Sequence, residues 1–330
     1  MRKVLENLGK SEVNVLILSH GDNDHISGAI PLLKDPKPAR VSLARRAAGE
    51  APPEIGIGRV LVNSDARSGR RRNGLYLALG YAEWKRGVIV DRPITARGEI
   101  NYGSGGAPGT VSIKVLGPYG SMTFRPPTDR TAKVGTLQDP NCQSVVVKVA
   151  SWTNSQESIL LPGDLTADGL QWLERRGRAE DLRAKVLVYP HHGGRGVAGD
   201  AEKNADFAKH LLDVVRPDLV LIPNGRGKHD NPRSEVVKAI KRFGAKIACS
   251  QMNRECCRDK EYHVPHGAAH LVKIDTMVWR KPEKQRARET RHQCAGSFHF
   301  RIGETVEAEN DMSLHEAYLD ERAPSRLCSV

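Results

Sequence analysis

Apolar and polar positions fall in blocks along this chain, and the blocks take a recurring form. Val13 to Leu18 is an apolar, β-branched run that predicts a buried strand. It stops at Ser19, and His20, Asp22, Asp24 and His25 follow within one loop. The apolar pattern resumes over Ser27 to Leu33 as the first turns of a helix, stopped by Asp35-Pro36-Lys37-Pro38. Upstream, residues 3–10 predict a short helix ending at Gly9. Arg59 to Asn63 predicts a second strand, residues 64–74 a basic turn, and Leu75 to Trp84 a helix. The Gly-rich stretch 97–109 matches no phosphate-cradle spacing and reads as a connection. Val111 to Leu116 alternates as a strand up to Gly117-Pro118, and residues 119–140, punctuated by Pro and Gly, read as a flap.

The same event recurs downstream. Asn141 to Val149 and Ser158 to Pro162 predict paired strands, the second running into Gly163-Asp164-Leu165. Leu170 to Arg178 predicts a helix, and Lys185 to Tyr189 a strand that ends in Pro190-His191-His192-Gly193-Gly194. Phe207 to Val215 is helical in pattern. Asp218 to Pro223 is a strand followed by the turn Asn224 to Pro232, which carries His229. Ser234 caps a helix over Glu235 to Phe243, and Ala245 to Ala248 is a last core strand. Apolar runs thus end in ligand-type side chains at His20 to His25, at Asp164, at His191-His192 and at His229. Strands alternating with helices predict a layered α/β fold whose strand ends converge on one edge. Such an edge suits a cation, because each strand holds the backbone while its loop presents nitrogen and oxygen donors.

Charge narrows the partners. The 330 residues carry a formal net charge of +12, which favours polyanions and above all nucleic acid. Arg70, Arg71 and Arg72, near Arg45, Arg46, Lys85 and Arg86, read either as a solvated helix start or as a phosphate-contacting patch beside the site. No apolar run approaches the ~18–20 residues of a spanning helix, and the polar start Met1 to Leu8 does not fit a secretory signal. The expectation is a cytoplasmic protein without a membrane partner. Six Cys are too few for a disulfide scaffold.

Composition shifts at Cys249. Residues 1–248 read as one domain, 249–302 as a Cys/His-rich extension, and 303–330 as an acidic flexible tail. Cys249, Cys256, Cys257, His263 and Cys294 combine soft thiolates with imidazole and suit a structural zinc. The spacing matches no standard finger, and loose thiols are the alternative. Cys294 to Ile302 predicts a strand returning to the sheet.

The order His20-x-Asp22-x-Asp24-His25 resembles the His-x-His-x-Asp-His signature of the metallo-β-lactamase superfamily, with Asp22 where the second His stands. That replacement is similar to the DNA-uptake (competence-protein) branch, whose domain is held to be a metal-dependent nuclease. Asp164 falls on the motif whose Asp bridges two metals. Tyr189 to Gly194 looks like the branch's His-His-Gly segment, and Asn224 to Val236 like its last motif. Asn141 and Ser144 lie where the branch has Asn and Ser in place of a third-motif His. The resemblance spans roughly residues 10–250. It implies an αββα sandwich with metals at one edge. Members of the family carry about two strands before that loop and 19 residues precede His20 here, so the expectation is either a true start further upstream or a member lacking the first strands. A sheet edge left open in that way invites a protein partner.

Through that resemblance the expected activity is phosphodiester hydrolysis on DNA by two divalent metals, zinc or manganese. One metal would take His20, Asp22 and one of His191 and His192. The other would take Asp24 and His25, with Asp164 bridging. Asp24 and His229 are the expected catalytic residues, and Asn141, Ser144 and Arg70 to Arg72 the expected substrate contacts. The carboxylate Asp22 hardens the donor set and favours Mn²⁺ at least as well as Zn²⁺. Two alternatives stand beside this: a small-molecule metallo-hydrolase acting on a lactone, β-lactam or cyclic nucleotide, and a catalytically impaired DNA-binding or partner-regulated module.

Overall fold

The computed structural model describes residues 5, 9–34, 55–63, 70–91, 99–102, 111–118, 140–176, 179–223, 231–250 and 300–308. For 23, 24, 70, 71, 99–102 and 140 this covers the backbone alone. The fold is mixed α/β. Strands β1 (Glu12–Leu18), β2 (Gly56–Val62) and β3 (Ile89–Asp91) form a parallel sheet in that order, with β1 at one edge. Helices α1 (Asn23–Ile26), α2 (Ile30–Leu33) and α3 (Arg70–Arg86) belong to the same half of the chain. The second sheet has the order β10-β9-β8-β7-β6-β5-β4. Its members are β4 (Glu99–Tyr102), β5 (Val111–Gly117), β6 (Val146–Ser151), β7 (Ser158–Leu161), β8 (Val186–Val188), β9 (Leu219–Ile222) and β10 (Lys246–Cys249). Pairing is antiparallel from β4 to β7 and parallel from β7 to β10.

The apolar alternation explains the layering. On β1 and β2, Leu16, Leu18, Val60 and Val62 pack with Leu33, Leu75, Ala78 and Leu79 of α2 and α3. The opposite face, Val15, Ile17 and Leu61, packs on Val115 and Val147 of the large sheet. Both faces of β1 are therefore covered toward its end, which is why Val15 to Leu18 reads as continuously apolar. The large sheet buries Leu160, Leu187, Val220 and Ile222 under α4 (Ala167–Arg176), α5 (Ala201–Val215) and α6 (Ser234–Phe243). Val186 and Leu219 on its other face meet Val306 of a hairpin, β11 (Phe300–Ile302) and β12 (Val306–Ala308). Among the described residues, no helix is long and apolar enough to cross a membrane.

Several elements depart from the sequence expectation. β11 does not join the large sheet as an added strand; it pairs with β12 and lies across the sheet face. Glu157 anchors it, accepting the Val306 N–H at 2.6 Å while Lys185 donates to the same carboxylate. The boundary drawn at 302/303 on acidic composition therefore cuts one hairpin in two. The boundary at 248/249 likewise falls inside β10, whose last residue Cys249 is buried in the core. The 97–109 stretch contains β4, which pairs with β5. Ser234 is the first residue of α6, not its cap; Arg233 holds the cap position without a side-chain bond. The helix read from Phe207 begins earlier, at Ala201, because Asp200 accepts the Lys203 N–H at 3.0 Å and caps it. Gly9 sits at φ 62° and the Lys10 N–H closes on the Leu5 carbonyl at 2.8 Å, while most of the expected helix over residues 3–10 lies outside the described residues.

Candidate metal centre

Parallel strands β7, β8 and β9 deliver their carboxyl ends to one edge, and antiparallel β6 starts there. The loop after β1 reaches the same place, with the Val145 N–H donating to the Ser19 carbonyl at 3.1 Å. Beside it Asn63, at the end of β2, donates to the Gln143 carbonyl and ties the two sheets together. The Asp22 carbonyl accepts from His25 N–H and Ile26 N–H, both at 3.0 Å, so α1 starts within the ligand loop.

Asp164 is the centre of the constellation. Its Oδ2 lies 3.6 Å from His20 Nε2, and its Oδ1 lies 3.2 Å from His25 Nε2 and 3.9 Å from His192 Nε2. His20 Nε2 is also 3.7 Å from Asp22 Oδ2. Four donors at ~2.1 Å around a tetrahedral cation stand about 3.4 Å from one another, so these separations are those of a ligand set. His20, His25 and Asp164 offer ligand atoms that all lie within 4.8 Å of one another, and the group can hold a metal ion. Asp164 is buried, which by itself would raise its carboxyl. The hydrogen bond from His25 and the charges of His20, His25 and His191 outweigh that, so it titrates below the ordinary carboxylate range. It is an anion at neutral pH, as a cation site requires.

The back of each imidazole is held. His192 Nδ1 lies 2.7 Å from the Pro223 carbonyl. A carbonyl only accepts, so Nδ1 carries a proton and Nε2 is the ring nitrogen turned toward Asp164. Ser19 Oγ lies 3.1 Å from His20 Nδ1 and 3.0 Å from His25 Nδ1, one hydroxyl behind two rings. Ser144 Oγ accepts from Asp164 N–H at 3.1 Å and lies 3.4 Å from His20 Nδ1. It is fully buried behind His20 and Asp164. Asn141 is buried on the 3-10 turn Pro140–Gln143, where its carbonyl accepts the Ser144 N–H.

The His191-His192 step is backbone strain put to use. His191, His192 and Gly193 follow one another at φ 51°, 55° and 74°. Each non-glycine residue there costs ~1–2 kcal/mol, and such positions persist where the surroundings enforce them. His191 N–H donates to the Gly163 carbonyl at 3.2 Å, fastening the two ligand loops to each other. Arg233 N–H reaches the Gly193 carbonyl at 2.9 Å. Asn204, fully buried on α5, accepts from Gly196 N–H and donates to Glu235. His191 Nδ1 is buried with no hydrogen-bond partner among the described residues.

His20, Asp22, His25, Asp164 and His192 thus come together, with His191 alongside. His192 stands on the His25 side of Asp164, whereas the sequence reading paired a His of this step with His20 and Asp22. Arg72 is folded onto the ligand loop through Gly21 and Asp22. The side chains of Asp24, Arg70 and Arg71, and residues His229, Cys256, Cys257, His263 and Cys294, lie outside the described residues, as do Arg45, Arg46 and most of the flap and acidic tail. The sequence reading did not single out Ser19, Pro223 or Asn204. A hydroxyl beside a ligand His was a usable signal for Ser19; a backbone carbonyl and a helix-buried Asn leave none. No protein-family model matches this chain, and no curated protein matches it.

Proposed function

We propose that this chain is a metal-dependent hydrolase built on a metallo-β-lactamase-like αββα sandwich, cleaving phosphodiester bonds in nucleic acid. The observation that carries the reading is the division of the Asp164 carboxylate. One oxygen faces His20, which also faces Asp22, and the other faces His25 and His192. A carboxylate shared in this way suits a pair of divalent cations, one held by His20 and Asp22, the other by His25 and His192. When bound, such cations supply Lewis acidity, neutralising phosphate charge and making water more acidic. The chain's own part is to fix the donors. Pro223 sets the His192 tautomer, Ser19 backs His20 and His25, and the Gly163–His191 bond keeps the two loops in register. The net charge of +12 supports a polyanionic substrate.

Incubation of supercoiled plasmid with the protein and Mn²⁺ or Zn²⁺ tests the proposal. Cleavage by wild type that is lost in Asp164→Asn and His192→Ala is expected, along with bound metal by mass spectrometry. Metal-loaded protein that leaves plasmid and single strands intact overturns the nuclease reading. Protein that retains no transition metal overturns the metal centre.

A further inference from the structure

The first turn of α3 breaks a rule of helix electrostatics. Arg70, Arg71 and Arg72 open the helix, and no acidic residue occupies that turn. Cations at a helix N-terminus oppose the dipole and are unfavourable there. Local rules broken in this way mark sites where another contact compensates. For Arg72 that contact is visible. Its Nε donates to the Gly21 carbonyl at 3.0 Å and a terminal nitrogen donates to Asp22 Oδ1 at 3.1 Å. The side chain is only 17% exposed, unlike the outward pairs Lys209–Asp213 at 75% and 49% or Arg59–Asp91 at 41% and 20%. A guanidinium so enclosed, fastened to a loop 50 residues earlier in the chain, is no solvated helix start.

The two oxygens of Asp22 have different partners. Oδ1 takes the guanidinium, and Oδ2 points to His20 Nε2 at 3.7 Å. We propose that Arg72 is a positioning residue for the metal centre: it anchors the ligand loop to α3 and holds Asp22 as a one-oxygen donor beside His20. The inference rests on the metal-centre reading above. It takes Arg72 away from direct phosphate contact and assigns it to the Asp22 carboxylate of the loop after β1. A carboxylate has two equivalent donor oxygens and can chelate; the guanidinium occupies one of them. The guanidinium meets the carbonyl and the carboxylate through two different nitrogens of one planar fork, a geometry that the single, shorter-reaching ammonium of Lys matches less well.

Mn²⁺ affinity, the visible spectrum of the Co²⁺-loaded protein and the melting temperature of metal-free protein test this, on wild type, Arg72→Gln, Arg72→Lys, Asp22→Asn and the Arg72→Gln/Asp22→Asn double variant. Partners that orient a metal ligand are worth about 10–100-fold in affinity. The expected result is a loss of that size in Arg72→Gln, an intermediate loss in Arg72→Lys, and an altered Co²⁺ spectrum, with melting close to wild type. In the double variant the loss is smaller than the two single losses combined, because part of the effect of Arg72 runs through Asp22 and the rest through Gly21. Wild-type Mn²⁺ affinity in Arg72→Gln overturns the inference, and so do losses that add in full. Asp164→Asn is the control. If it abolishes binding while Arg72→Gln does not, only the role of Arg72 fails; if it binds as wild type does, the metal centre itself fails.

Discussion

At Gly193 the backbone sits at φ 74°, and an added Cβ would lie 2.6 Å from the Pro232 Cβ and 3.0 Å from its Cα. No side-chain rotation relieves a contact with a proline ring and backbone. Gly193→Ala is therefore expected to destabilise the fold by at least ~1–2 kcal/mol, the left-handed cost alone. It should also weaken Mn²⁺ binding, because the His191-His192 step must shift. Urea denaturation and metal titration check the two effects. Lys148 shows a different residue-scale economy. It is buried on β6, and its ammonium donates to the Asp181 and Arg183 carbonyls at 3.2 and 2.7 Å. Burial pulls its pKa down to about 8, with Asp181 opposing and Lys114 assisting. The unfolded chain keeps that proton to about 10.5. Between these values the unfolded state binds more protons, so stability rises with pH. Wild type should gain melting temperature from pH 8 to 10 relative to Lys148→Met; parallel curves would contradict the assignment.

At the scale of elements, the Glu157 carboxylate ties the β11–β12 hairpin to the large sheet beside its apolar contacts. Burial of Glu157 would raise its pKa, but the Val306 N–H and then Lys185 outweigh this and hold it below the ordinary range. A depressed carboxyl contributes stability at higher pH that is lost as pH falls through its lowered value. Acidification should release the hairpin before the sheet opens. At neutral pH, Glu157→Gln should speed amide exchange at Val306 by about tenfold or more, the scale of a charge-assisted hydrogen bond. Exchange monitored by NMR or mass spectrometry at pH 7 checks this, and an unchanged Val306 rate would show that apolar packing on Val186 and Leu219 suffices.

The whole molecule stands on sheets covered on both faces. Leu187, fully buried at the middle of the large sheet, packs among Leu160, Val220 and Leu211 beneath the helices. Leu187→Ala removes that contact and leaves a void, at an expected cost of 2–5 kcal/mol, about the range for such truncations. Because β8 continues directly into Tyr189 and the His191-His192 step, part of the loss should reappear as weaker metal binding. Chemical denaturation of metal-free and Mn²⁺-loaded protein measures both.

The sequence by itself determined where strands stop and what stands at their ends. Val15 to Leu18, Ile159 to Leu161 and Val186 to Val188 are legible because strands packed on two faces favour apolar runs. Asp164, His20, His25 and the His191-His192 pair are legible because donor side chains directly after such runs break the pattern. What only the tertiary structure decided is set by contacts through space. Which imidazole faces Asp164 depends on a left-handed backbone and on a carbonyl from another strand, and neither has a local signature. Arg72 reads like any basic helix start until Asp22 is seen against it. The acidic composition after Ile302 hid β12, because on a short strand packed over a sheet face only Val306 is buried and its neighbours Thr305 and Glu307 stay exposed. Periodicity reports burial along one segment, whereas a site is made by the meeting of segments whose spacing in sequence carries no information about their distance.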